Sequence, residues 1–200
     1  MEDNQEIAKL IEQLEDVDDE VRMSATSGLA AIGEPAVPAL IEALGNVIWD
    51  VCDSAADALA QIGEPAIPAL IEALGDEQKH LGLNAADALG RIAEPAVEAL
   101  LQALSDTYEP VRENAVRALS AMGEPAKAAT PALIQSLRDE DTEIRTYAAI
   151  ALANIGEAAS DAVPALTEAL RDASERVCEH AAFALQKIGT PEAEKTLSQL

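Results

Sequence analysis

Apolar side chains recur along this chain in two alternating stripes, each with the spacing of one face of an α-helix. The first stripe, on a helix termed A, is Val37, Leu40, Ile41 and Leu44, the i, i+3, i+4, i+7 pattern of an amphipathic helix. The second, on a helix termed B, is Val21, Ala25, Leu29 and Ile32, and it stops at Gly33, a residue suited to a C-terminal cap. Pro35 and Pro38 fall in the following turn or the first helical turn, where a missing N–H costs little. The stretch from Ile32 to Leu44 returns almost unchanged from Ile62 to Leu74, and with small changes from Ile92 to Leu104. Three-residue insertions then appear between Met122 and Leu137 and between Ile155 and Leu170, so the period runs 30, 30, 30, 33 and 33 residues.

A period of this length predicts an all-α superhelix, a solenoid of six helix pairs. The units span about residues 4–33, 34–63, 64–93, 94–123, 124–156 and 157–189, with a cap over 190–200. Ile7, Leu10, Ile11 and Leu14 repeat the A stripe at the start, and Ala193, Leu197 and Leu200 close it at the end. Seven A helices and six B helices are therefore expected, with no strand. Helices this short are marginal in water, so each needs its neighbours. The expectation is one repeat domain over 1–200, extended into a curved rod because contacts are nearest-neighbour.

Charge narrows the partners. The net charge is −24, and residues 1–75 carry 16 acidic side chains against only Lys9 and Arg22. Phosphate recognition needs a basic footprint, so nucleic acid is excluded and a cationic protein surface is favoured. Cys52 and Cys178 show no CxxC or metal-ligand spacing, so neither a metal nor a cofactor is expected. The first residues lack the basic and apolar regions of a signal peptide, and no apolar run reaches the length of a membrane span. A reducing compartment, the cytoplasm, fits best.

The motif Asp18-x-x-Val21-Arg22, an Ala-rich helix, then Ile32-Gly33, resembles the HEAT-like repeats of the phycobilisome lyase type. Val111-Arg112 with Met122-Gly123, and Asp141, Ile144-Arg145 with Ile155-Gly156, carry the same resemblance. It implies an armadillo-like α-solenoid, and it implies little about function, because such repeats serve as lyase, chaperone, adaptor and scaffold. In this family the Asp and Arg look like a ladder between adjacent repeats. The Arg22 position here reads Arg22, Cys52, Gly82, Arg112, Arg145, Cys178, and the Asp18 position reads Asp18, Ile48, Gln78, Tyr108, Asp141, Ser174. Repeats two, three and six have lost both partners. Cys52 and Cys178 are then small residues filling a vacated arginine place rather than reactive thiols.

Catalytic constellations are scarce: HExxH, GxGxxG, Walker and GxSxG patterns are all missing. His80 and His180, the two histidines, fall in repeats three and six, too far apart to share a metal. The His-Glu pairs that one HEAT-like hydroxylase family uses for its di-iron site do not occur.

The surface remains. Exposed rows of helix A are monotonous: Glu42, Glu72, Gln102, Gln135, Glu168 in one, and Ala43, Ala73, Ala103, Ser136, Ala169 in the next. Outward positions of helix B are diverse, and in proteins that resemble this one they line the concave face. They hold Trp49, Asp53, Asp57, His80, Leu83, Asp87, Arg91, Glu113, Arg117, Tyr147, Ile150, Glu179, His180 and Phe183, including three of the four aromatics. A tight Ala/Leu core would also push large side chains outward, but that does not explain their avoidance of helix A. Exposed Trp, Tyr and Arg are enriched at binding hot spots. The sequence therefore points to a non-enzymatic protein-binding adaptor or scaffold, whose partner offers a basic, or mixed basic and apolar, segment. Two alternatives stand beside it. One is a bilin lyase-like or tetrapyrrole-binding subunit acting with a partner, using Asp57, Asp87, Arg91, Arg117 and Trp49. The other is an engineered repeat scaffold without a natural partner.

Overall fold

A computed structural model describes residues 2–199, with the side chains of Glu2, Asp3 and Lys79 outside the description. Among the described residues there are thirteen α-helices and no strand, seven in A places and six in B places. The chain divides into two compact units, residues 1–99 and 100–200.

In the first unit the B helices are α2 (Asp19–Ile32), α4 (Trp49–Ile62) and α6 (Lys79–Ile92), and the A helices are α1 (Glu2–Gln13), α3 (Val37–Leu44) and α5 (Ile67–Ala73). α2 packs on α4 and α4 on α6, while α1, α3 and α5 form the second layer. Helix α7 (Val97–Ala103) contains the division between the units. The second unit continues with α8 (Glu109–Met122), α9 (Thr130–Ser136), α10 (Thr142–Ile155), α11 (Val163–Ala169), α12 (Glu175–Ile188) and α13 (Pro191–Leu197). There α8, α10 and α12 stack as one layer, and α13 covers α11 and α12. Ala193 of this last helix is fully buried, whereas Leu200, expected in the same stripe, lies outside the described residues.

Both cores are built from leucine and alanine. Leu14, Leu29, Leu40, Leu44, Leu59, Leu70 and Leu74 are wholly buried in the first unit, and Leu119, Leu133, Leu152, Leu166 and Leu185 in the second. Each such side chain stabilises by about 1.5–3 kcal/mol relative to exposure. Alanines at Ala55, Ala56, Ala58, Ala85 and Ala88 let neighbouring B helices approach closely.

The turns follow from a few residues. Pro35 sits in a 3-10 turn, Glu34–Ala36, and Pro38 in the first turn of α3, as expected. The three-residue insertions fall in this same turn, which lengthens to Glu124–Ala129 and Gly156–Ala162. Gly33 closes α2 at φ 77°, and its N–H donates to the Leu29 carbonyl at 3.2 Å. A Cβ there would meet nothing within 4 Å, so glycine is required for its backbone angle and not for space.

One sequence expectation is corrected. Ala43, Ala73, Ala103, Ser136 and Ala169, read as an exposed row of helix A, are all buried, between 6 and 9% exposed. Their sameness is a packing requirement, since the flat side of each A helix rests on its neighbours. The row Glu42, Glu72, Gln102, Gln135 and Glu168 is exposed as expected.

Candidate protein-binding surface

An Asx turn leads into every B helix. The side chains of Asp16, Asn46, Asp76, Asp106, Asp139 and Asp172 each accept the backbone N–H two residues on, at 2.7–2.9 Å. The carbonyl of the same turn residue then receives the side chain six residues later. Arg22 donates to the Asp16 carbonyl, Arg112 to that of Asp106, and Arg145 to that of Asp139. Cys52 and Cys178 take over this bond, their Sγ atoms donating to the carbonyls of Asn46 at 3.0 Å and Asp172 at 3.3 Å. The two cysteines therefore fill the arginine place as expected, and they inherit its hydrogen bond. Both thiols are free, and burial pushes the Cys52 thiol up. Native alkylation followed by mass spectrometry should modify Cys178 before Cys52, which is only 7% exposed; equal rates would contradict its burial.

The ladder runs differently from the one the family resemblance implies. Asp18 and Asp141 do not pair with arginines of adjacent repeats; they cap their own helices, accepting from Glu20 N–H and from Glu143 and Ile144 N–H. Arg22 pairs with Asp19 of its own helix, whereas the partners of Arg112 and Arg145 are the Asx-turn carboxylates of the next repeat. Arg112 grips Asp139 at 3.0 and 3.3 Å, and Arg145 grips Asp172 at 2.8 and 3.0 Å. Asp16, Asn46, Asp76, Asp106, Asp139 and Asp172 were thus the structurally decisive row that the sequence reading passed over. Their signal was present, as an Asp or Asn at the same place in all six turns.

In the first unit the expected residues come together on α4 and α6. Arg91 reaches three carboxylates: Asp53 at 2.5 Å, Asp57, and Asp87 at 2.7 Å. Burial works against its charge, but the hydrogen bonds it donates to Asp53 and Asp57 and the field of Asp87 outweigh it and hold the guanidinium protonated more firmly than usual. Trp49, the first residue of α4, is 73% exposed. Beside it open two depressions. One of about 340 Å³ lies over α2 and α4, with Met23, Ser27, Trp49, Asp50, Asp57 and Gln61 among its walls. The other, about 230 Å³, is lined by Trp49, Cys52, Asp53, Asn84, Asp87 and Arg91. Val47, Ile48 and Met23 are also exposed, at 99, 45 and 69%, and the sequence reading missed them as surface. His80 is exposed and Leu83 half-buried on α6; neither touches the Arg91 cluster through a hydrogen bond or ion pair among the described residues.

In the second unit the expected residues pair with one another. Arg117 binds Glu113 at 2.6 Å, donates to the Tyr147 hydroxyl, and lies 4.0 Å from the centre of the Tyr147 ring. Arg176 bridges to Glu143 at 2.5 Å, and Lys187 stands 5.3 Å from the Phe183 ring. Ile150 and His180 are half-buried, and Glu179 and Phe183 are exposed. The first unit's acidic residues outnumber its basic ones 21 to 4; in the second the figures are 16 and 9. The first unit thus carries the larger excess of negative charge.

Among the described residues no cluster of His, Cys, Asp or Glu could hold a metal ion, and no single helix is long and apolar enough to cross a membrane. No curated protein matches the sequence. Among solved structures, an engineered protein is 27% identical over 95% of this chain and 97% of its own, with a TM-score of 0.50. The complex of CpcE and CpcF of phycocyanin lyase from Nostoc sp. PCC7120 is 25% identical over 75% of this chain and 98% of that one, with a TM-score of 0.59. A designed armadillo repeat protein, 22% identical over 90% of this chain and 98% of its own at a TM-score of 0.51, shares the fold. The model of HEAT repeats matches residues 7–82, 67–130 and 130–200, almost the whole chain. With the helix pairs, the stacked B layers and the turn ladder described above, this places the protein in the HEAT-repeat family.

Proposed function

We propose that this chain is a protein-binding module, and that the outward face of α2, α4 and α6 receives a segment of a partner carrying basic and apolar residues. The observation that carries this reading is Trp49, an indole 73% exposed at the mouth of an acidic groove. An exposed tryptophan is the residue type most often found as a hot spot, and carboxylates around it favour cationic partners and speed their arrival at low salt. The likeness to a lyase subunit complex supports a role exercised with a second protein.

The test pans a random peptide library against the full chain and then follows the recovered peptides against variants. Recovered peptides are expected to be rich in lysine, arginine and apolar residues. Trp49→Ala should weaken them about fivefold, and reversing Asp57 and Asp87 to lysine at least as much. Reversing Glu42 and Glu72 to lysine on helix A changes net charge by the same amount and should leave binding intact. If both reversals weaken binding equally, global charge alone is at work and the face assignment fails.

The likeness to phycocyanin lyase favours a second reading, a tetrapyrrole-handling subunit. In the first unit, however, Arg91 is already committed to three carboxylates and offers no spare cation to a propionate. Titration with a bilin, followed by visible absorbance, separates the two: a shifted spectrum that Trp49→Ala abolishes would favour the lyase-like role.

A further inference from the structure

We propose that the groove between α1 and α3, in the A layer of the first unit, is a second docking site. Its occupant is an amphipathic helix of a partner protein, with an aliphatic stripe that ends in lysine. This site goes beyond the B-helix face and does not depend on it. α1 and α3 are neighbours in the A layer, yet they are built differently. α1 is an uninterrupted helix from Glu2 to Gln13, whereas α3 follows the 3-10 turn Glu34–Ala36 and carries Pro38 in its first turn. Two unlike walls stand beside each other, and about 670 Å³ is open between them.

The groove has a direction. On α1 its wall reads Asn4, Ala8, Ile11 and Glu15, at the i, i+4, i+7, i+11 spacing of one helix face. The other wall reads Pro35, Ala39, Glu42 and Asn46 at the same spacing. Along one wall Ala8 and Ile11 give way to Glu15, and along the other Pro35 and Ala39 give way to Glu42 and Asn46. Ile7 and Ala43, both buried, form the floor. Glu15 accepts one long bond from Asn46, at 3.4 Å, and the Glu42 carboxylate has no hydrogen bond or ion pair among the described residues. This acidic end coincides with the C-termini of α1 and α3, where the last carbonyls also favour a cation. One repeat later the places of Ala8 and Glu15 are Pro38 and Gly45, so this wall and its carboxylate are not repeated there.

These features select the occupant. Helical walls offer no row of free backbone N–H and C=O groups, so an extended segment finds no ladder to join. A helix satisfies its own backbone and lays an apolar stripe into such a groove. Glu6, Glu12, Glu15, Glu34 and Glu42 are exposed along α1, α3 and their turns, and Lys9 is the one cation on these two helices. That excess favours a basic partner, and the net charge of −24 opposes a second copy of the chain.

The probes are stapled helical peptides with leucines at i, i+3 and i+7 followed by lysines, a version with glutamates in place of the lysines, and a scrambled version of the first. By fluorescence anisotropy against the full chain, the lysine peptide is expected to bind about tenfold more tightly than either control, or better. Ala8 is exposed, so Ala8→Lys should keep the helical melt unchanged while placing a long cation across the groove, and it should weaken the lysine peptide about tenfold. Glu42→Lys should weaken it as well. Gln61→Lys adds the same charge as Ala8→Lys on α4 and should have no effect, and neither should Trp49→Ala. Peptides held by Trp49 should in turn ignore Ala8→Lys and Glu42→Lys, so the two sites fail separately. Equal affinity for a control peptide, or an Ala8→Lys variant that binds like the parent, would overturn the proposal and leave the B-face reading standing. Self-association of the chain that Ala8→Lys abolishes would also overturn it, because the groove would then belong to a second copy.

Discussion

Arg145→Ala is expected to destabilise the chain by about 3 kcal/mol, the low end of what breaking a buried ion pair costs. The side chains of Arg145 and Asp172 are only 14 and 13% exposed, so solvent does little to replace the lost contact. The guanidinium makes a bidentate bond to Asp172 and also donates to the Asp139 and Glu140 carbonyls, both at 3.0 Å. Removing it leaves the Asp172 carboxylate with only the Ser174 N–H and takes the guanidinium from two backbone oxygens at once. The ladder is continuous: Arg112 holds the Asp139 side chain, the Asp139 carbonyl receives Arg145, and the Asp172 carbonyl receives Cys178. Arg112→Ala and Arg145→Ala should therefore be non-additive in a double-mutant cycle. Thermal or urea unfolding followed by circular dichroism measures this; a loss below about 1 kcal/mol would mean that the ladder is a surface ornament of the kind that contributes little.

The same pair gives a pH dependence of fixed sign. Hydrogen bonding from Arg145 holds the Asp172 carboxyl below the usual carboxylate range, against the opposing effect of burial and with help from the Ser174 N–H. A depressed acid contributes stability that is complete above its unfolded-state pKa of about 3.9 and fades as pH falls through the lower folded-state value. Stability should therefore hold at neutral pH and erode below about pH 4, and Asp172→Asn should flatten that acid limb. Arg145 itself is shifted upward by the same bond, which adds no titration near neutrality.

Periodicity carried most of the fold. A stripe of Val37, Leu40 and Leu44 repeated every 30 to 33 residues leaves few ways to bury itself, so helix number and order are legible in the sequence. What periodicity could not say is which side of a small residue faces inward. Ala43 looks alike on a solvent face and in a helix–helix seam, and only packing distinguishes them. The ladder was misread for a related reason. Asp18 and Arg22 are one helical turn apart and invite pairing, yet Asp18 is the N-cap, and a cap carboxylate is already held by backbone N–H groups. The expected site residues separated by chemistry. Asp53, Asp57, Asp87 and Arg91 converge on one cluster in the first unit, whereas Glu113, Arg117 and Tyr147 satisfy one another in the second. That outcome depends on which opposite charges stand within reach, and a count of outward positions does not contain it.

The helix-ending glycine shows where sequence and strain meet, and it yields the other large expected effect. Gly33, Gly63, Gly123 and Gly156 close their B helices at φ between 66 and 77°. In the third repeat the same place holds Ala93, at φ 63° and ψ −131°, the one non-glycine with positive φ among the described residues. A side chain in such a sparsely populated region costs about 1–3 kcal/mol, while glycine loses roughly 0.5–1 kcal/mol more backbone entropy on folding than alanine does. The difference favours glycine, so Ala93→Gly should stabilise the chain by about 1–2 kcal/mol. Space does not oppose the change, because Cβ atoms placed at Gly33 or Gly63 meet nothing within 4 Å, and deletion of this methyl should leave no packing void. The reciprocal substitution, Gly63→Ala, should destabilise by a similar amount through the same angle. Both are read from urea unfolding at constant m-value, which separates a native-state effect from a change in the unfolded ensemble. If Ala93→Gly lowers stability instead, the alanine methyl makes a contact worth more than the strain it imposes, and the closure of α6 differs in kind from that of α2 and α4.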